Sequence, residues 1–167
     1  MASPLPALKG AVASVVLALN TVFGVSLMFP FALAKALLPF TAVRHVTDRA
    51  LNSIATGWIS VNNAWIDAVG RTAWDVQGVD GLDARGWYLV SSNHQSWVDI
   101  LVLQRIFHGK IPFLKFFLKQ ELIWVPVIGL AWWALDFPFM KRGGGALGKQ
   151  DLERARKACE KFRLVPT

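Results

Sequence analysis

From Gly10 to Ala34 the chain carries no charged residue, and within that stretch AVASVVLALNTVFGVSLMF, Ala11–Phe29, is a nearly unbroken apolar run of 19 residues. The hydrocarbon core of a bilayer takes about 20 such residues as a helix. A run of this kind must be covered, either by lipid or by the rest of the protein. Pro30 ends it and is expected to break the helix, because proline removes a backbone donor and crowds the preceding turn. FALAKALLPF follows as a second apolar piece. One span followed by an interfacial segment fits, and so does a helical hairpin that turns at Pro30. A cleaved signal peptide is the rival, with Lys9 as its basic start and Ala32-Leu33-Ala34 as a cleavage tripeptide. The apolar run is longer than a usual signal core, and apolar sequence resumes after Lys35. Residues 1–47 are therefore read as a membrane anchor. Lys35, Arg44 and Arg49 follow the run, which by the positive-inside rule puts the remainder on the cytoplasmic face, here of a cell inner membrane.

Charge is distributed unevenly. Residues 1–104 hold six Lys/Arg and six Asp/Glu, while residues 105–167 hold twelve and five, so the whole net charge of +7 sits in the last 63 residues. A basic half beside an apolar half suits an anionic membrane surface or a phosphorylated substrate. The plain alternative is a basic face kept for solubility. No nucleic-acid motif is present, and nucleic acid is not expected as a partner. Cys159 is the single cysteine. It excludes an intrachain disulfide and a Cys/His zinc cluster. It lies in the charged helical pattern DLERARKACEKF and is expected to be inert. His45 and His108 read as loop or surface residues.

The rest of the chain alternates. Asp48 to about Trp74 has apolar residues at helical spacing, and residues 48–84 read as an amphipathic helix followed by turns. WYLVSSN reads as a short buried strand, SWVDILVLQRIF as a helix ended by HGKIP, and IPFLKFFL as a strand. LIWVPVIGLAWWAL, Leu122–Leu135, is apolar but too short to span, so it is a core or interfacial helix. FPFMKR reads as a strand leading into the glycines at 143–145, and GKQDLERARKACEKF as a charged helix. Strands alternating with helices make residues 85–167 an α/β unit.

Between the first strand and its helix lies SSNHQSWVDI, Ser91–Ile100. On one continuous helix His94 and Asp99 would point about 140° apart. They can meet if His94 lies in the turn and Asp99 in the first helical turn. Ser96 supports that placement, since Ser96-Trp97-Val98-Asp99 has capping-box spacing. A carboxylate folded behind an imidazole fixes its tautomer and raises the basicity of the other nitrogen, which makes a general base for a hydroxyl. Taken alone, the pair reads more readily as a helix cap beside an ordinary turn histidine. No Gly-x-Ser-x-Gly elbow supplies a serine nucleophile, so in a catalytic pair the substrate would bring the nucleophile.

NHQSWVDI resembles the first motif of the glycerolipid (1-acylglycerol-3-phosphate, PlsC-like) acyltransferase superfamily, a His-x4-Asp preceded by Asn. FLKQELIWVPVIGLAWWALDFPFMKR is similar to that family's passage to its second motif, an aromatic strand ending in arginine. The wording is closest to the YihG-type bacterial branch and the lysocardiolipin acyltransferases. The resemblance covers roughly residues 85–163. It implies a mixed sheet with flanking helices behind the anchor, and transfer of a fatty acyl group from acyl-CoA or acyl-carrier protein to a lysophospholipid hydroxyl. His94 would be the base and Asp99 its partner. Arg142 would bind the substrate phosphate with help from Lys141. Asn93 and Ser96 would shape the turn, with Asn93 aiding the thioester oxyanion. No cofactor and no metal is implied, since the leaving group is already a thiolate.

The family's third motif, Glu-Gly-Thr/Ser-Arg, is not found, and LVPT comes too early to be its fourth. The expectation is therefore a C-terminally truncated acyltransferase domain that is inactive by itself. Two other readings stay open: a non-catalytic membrane-bound lipid-binding protein, and a lipid hydrolase that turns the same pair on water.

Overall fold

The computed structural model describes residues 5–70, 72–140, 153, 156 and 157. Two long helices dominate. Helix α1 runs Leu5–Leu37 and helix α2 runs Thr41–Val69. Pro39 separates them: it lacks the N–H a helix needs and forces Leu38 out of the helical region. The hairpin therefore turns at residues 38–40, not at Pro30. The expected break at Pro30 is overturned, since α1 continues through it. Packing explains why. Val25, Met28 and Ala32 flank Pro30 on α1 and are buried against Leu51 and Ala55 of α2, so the contacts on both sides hold the helix against the loss of one backbone bond. Leu51 is only 1% exposed. Truncating such a leucine to alanine costs about 2–5 kcal/mol. Helix α2 also begins before Asp48 and ends at Gly70, ahead of Trp74.

The hairpin has a polar seam. The side-chain amide of Asn20 donates to Asn62 Oδ1 at 2.7 Å and to the Trp58 carbonyl at 3.3 Å. Trp58 Nε1 donates to Thr21 Oγ1 at 3.2 Å. The Trp58 ring packs over Gly24, where a Cβ would meet it at 3.4 Å, an ordinary contact distance. In an apolar setting such bonds fix which faces of two helices meet. On its other side α1 is bare: Val15, Leu19, Val22 and Phe23 are each at least half exposed. Residues 8–37 are, by length and composition, enough to cross a membrane.

Helix α3, Val98–Phe107, ends at His108, and Gly109 follows with φ +71. That left-handed conformation is the usual helix stop, and glycine takes it without a Cβ clash. Strand β1 is Leu118–Lys119. A 3₁₀ turn at Gln120–Trp124 and helix α4, Ile128–Ala134, lead to strand β2, Phe139–Met140. β1 and β2 pair in parallel, Leu118 with Phe139 and Lys119 with Met140.

Among the described residues this is all the sheet there is. The expected mixed sheet is thus reduced to two short strands, and 111–117 joins no ladder. The buried strand expected at 87–93 is overturned as well: Trp87 is 76% and Leu89 88% exposed. A strand buries its residues only when neighbours cover its faces and pair its backbone, and no described segment does so here. The charged C-terminal helix lies largely outside the described residues, as does Cys159. Residues 153, 156 and 157 are helical.

Polar contacts hold this half to the hairpin at both ends, and between them Ser60 Oγ of α2 lies 3.0 Å from His108 Nε2. At the turn end, Lys35 Nζ lies 2.8 Å from Asp48 Oδ1 and 2.5 Å from Asp136 Oδ2, and donates to the Ala134 carbonyl at 2.9 Å. At the far end, Arg105 of α3 bonds to Asp67 at 2.6 Å and to the Asn63 carbonyl at 3.2 Å, with its guanidinium over the Trp74 ring.

Candidate active site

The chain turns from the extended 87–93 segment into α3 at His94–Trp97, and one carboxylate oxygen organises that turn. Asp99 Oδ2 accepts from the Gln95 N–H at 2.6 Å and the Ser96 N–H at 2.8 Å. It also lies 3.3 Å from His94 Nδ1. Ser96 Oγ accepts from the Val98 N–H at 3.3 Å, so the serine and the aspartate cap each other's ends of the turn. Only half of the expected capping box forms: Asp99 accepts from the Ser96 N–H, but Ser96 Oγ reaches Val98 instead of Asp99, and the N-cap position of α3 falls to Trp97. The local sequence explains this: a serine before an apolar helix supplies an acceptor for orphan amides, and a carboxylate in the first turn suits the positive end of the helix.

Two backbone N–H bonds, to Ser96 and Gln95, hold the Asp99 carboxyl below its ordinary value of 3.8, and the neighbouring His94 adds to this. Asp99 is thus a fixed anion behind the ring. His94 Nδ1 is the ring nitrogen beside this anion, at 3.3 Å, and Nε2 is the one away from it. The His94 side chain is 63% exposed and Asp99 31%. The pair is open, not buried, and a hydroxyl can reach it directly.

His94 and Trp97 also line a cavity of about 460 Å³. Its other walls come from α1 and α2 (Thr21, Val25, Trp58), from Phe113 and Phe116, and from the inner faces of the 3₁₀ turn and α4. The volume falls in the range of ligand pockets, roughly 300–1,000 Å³. The walls are almost wholly aliphatic and aromatic, so the guest they suit is a hydrocarbon chain. A second groove, about 550 Å³, runs between residues 86–92 and 111–117, and His94 is not among its walls.

Of the residues singled out in the sequence, His94, Asp99 and Ser96 are brought together. Asn93 is exposed beside them. Lys141 and Arg142 lie outside the described residues. The sequence reading missed the Lys35–Asp48–Asp136 cluster and the cavity. A signal for the first existed: a lone lysine inside an apolar stretch needs a partner if it is to be buried. Lys115 lies in the field of the same cluster, and burial pulls its ammonium below the ordinary range. Among the described residues no group of three or more His, Cys, Asp or Glu is placed to hold a metal.

The family model described as Acyltransferase matches residues 73–165, more than half of the chain. No curated protein and no solved structure matches it.

Proposed function

This chain belongs to the acyltransferase family, and on that premise we propose that it moves a fatty acyl group from a thioester, acyl-CoA or acyl-carrier protein, to the free hydroxyl of a lysophospholipid of the lysophosphatidic acid kind. The observation that carries the reading is the position of His94: backed by Asp99 on one side and lining an apolar cavity on the other.

In this mechanism the cavity takes the acyl chain and brings its thioester carbonyl to His94. Nε2 removes the hydroxyl proton as the lysolipid oxygen attacks that carbon. The new C–O bond forms, the tetrahedral adduct collapses, the C–S bond breaks, and the departing thiolate takes the proton from the imidazolium. Asp99 keeps the ring oriented and stabilises its charge. A positioned base of this sort is worth about 10²–10⁴ in rate. Arg142, with Lys141, grips the lysolipid phosphate, for which a planar guanidinium fork is well shaped. Asn93 and Ser96 set the turn.

The acceptor is an amphiphile, and the hairpin is suited to meet it. The fastenings at Asp48 and Asp67 lie about 28 Å apart along α2, at about 1.5 Å per residue. A hydrocarbon core is about 30 Å thick. A hairpin crossing the bilayer would draw α3 or α4 into it. We therefore place α1 and α2 in the membrane face, with the bare side of α1 toward lipid and the catalytic turn at headgroup depth.

The experiment is product analysis with the chain in vesicles, a radiolabelled acyl thioester and lysophosphatidic acid. Labelled phosphatidic acid that appears only when the acceptor is present supports the proposal. Free fatty acid released at the same rate without acceptor makes it a hydrolase. Lipid binding with no turnover of either kind rejects catalysis by these 167 residues alone, the outcome expected of a truncated domain.

A further inference from the structure

The corner between the 3₁₀ turn and α4 has no role in the chemistry above, and its construction is unusual. Trp124, Val125, Pro126 and Val127 are four successive exposed residues, none of them charged. Trp124 is 84% exposed. Val127 has φ 69 and ψ −67, and the Ile128 N–H closes on the Pro126 carbonyl at 2.8 Å. That is a γ-turn of the rare, strained kind. A β-branched residue there is an outlier, and such strain costs about 1–3 kcal/mol and persists only where the surroundings impose it. The surroundings do impose it. Gly129 sits so close to the 3₁₀ turn that a Cβ would lie 2.3 Å from the Ile123 carbonyl oxygen. The corner is thus a rigid point, braced from inside, with an apolar tip turned outward.

Helix α4, IGLAWWA, is apolar on every side. A helix of that pattern is covered all round, by protein or by lipid. Its inner face lines the cavity, yet Trp133 on its outer face is 42% exposed. Helix α4 packs against the anchor by its buried side, where the Ala134 carbonyl receives the bond from Lys35 of α1. Leu37, Leu38 and Phe40, just beyond Lys35, are themselves exposed. Exposed apolar side chains thus stand both at the hairpin turn and on α4. Tryptophan is the side chain most at home at the boundary of lipid and water.

We propose that the Trp124–Val127 corner and the outer face of α4 form a second membrane contact, a rigid wedge seated in the headgroup–acyl boundary of the same leaflet that holds the hairpin. It rests on the reading of α1 as a lipid-facing anchor. The wedge places one wall of the cavity against the bilayer.

The test uses the full chain with Cys159→Ser and one environment-sensitive fluorophore on a cysteine, in phosphatidylcholine–phosphatidylglycerol vesicles containing nitroxide-labelled lipid. Val125→Cys reports the wedge, Val22→Cys the anchor, and Asp80→Cys the water-facing side. Blue-shifted emission with lipid quenching at 125 and 22, but not at 80, is the expected result. Quenching at 22 with an aqueous spectrum at 125 overturns the wedge and leaves the anchor standing. Aqueous spectra at both overturn both. A blue shift at 125 without lipid quenching means that protein covers the corner, and also overturns the wedge. As an unlabelled check, Trp124→Ser is expected to weaken vesicle partitioning several-fold while Trp124→Phe retains most of it. Equal partitioning of Trp124→Ser and the parent contradicts the proposal.

Discussion

Lys35 with Asp48 and Asp136, and His94 with Asp99, are the same chemistry in opposite settings. The Lys35 side chain is 7% exposed and that of Asp48 11%, whereas His94 is 63% exposed. In the first cluster every charge is committed: the ammonium touches two carboxylates and a helix-end carbonyl. In the second, one ring nitrogen lies beside the carboxylate, and the side chain as a whole is largely exposed. The sealed cluster ties three remote segments, α1, α2 and the loop after α4, into one body. The open pair sits within six residues of chain and ties down nothing but its own turn. The acids differ less than the bases do: Asp136 is 43% exposed and Asp99 31%.

The comparison breaks most visibly at Lys35. Lys35→Ala leaves two carboxylates facing each other, one of them buried, and is expected to lower unfolding stability by about 3–5 kcal/mol, read as a shift in denaturant midpoint. Lys35→Met with Asp48→Leu should recover most of that loss, because a buried pair replaced by packed apolar groups is often neutral. Failure of the double variant to recover would mean that the cluster does more than cancel charge. The sealed side should also refuse new volume. Gly129→Ala drives a methyl into the Ile123 carbonyl and is expected to cost about 1–3 kcal/mol. At the smallest scale, Arg105→Ala removes a pair whose acid, Asp67, is 61% exposed. It should change stability by about 1 kcal/mol or less, and less still at high salt.

The open pair has a pH signature of its own. Asp99 is depressed below 3.8 by two backbone bonds. A carboxyl depressed in the folded state contributes stability that is present above its unfolded value and lost as pH falls through the folded one. The turn should therefore stay intact at neutral and mildly acidic pH and loosen only below 3.8. Carbon NMR of Asp99, compared with exposed Asp80, checks this: an Asp99 midpoint at or above that of Asp80 would contradict the geometry.

What could be read from the chain alone follows from distance along it. Ser96, His94 and Asp99 lie within six residues, so capping geometry alone predicted their meeting. Helix α3 announced itself by period and by the Gly109 stop. The apolar run forecast a helix long and apolar enough to cross a membrane. Pro30 misled because local preference argues for a break, while Leu51 and Ala55, far along the chain, hold the helix straight. Lys35 and Asp136 are a hundred residues apart, and no local pattern joins them. Trp87–Val90 looks like a core strand by composition, but composition does not provide the neighbour that a strand needs.

The central claim is that His94 acts on substrate and not on the fold. The most direct measurement is kcat and thermal midpoint of His94→Ala on one preparation in vesicles, with acyl thioester and lysophosphatidic acid. The account predicts a loss of about 10²–10⁴ in kcat at an unchanged midpoint, as befits a side chain that is mostly in solvent. Full activity in that variant, or a loss that appears only together with a lowered midpoint, would contradict it.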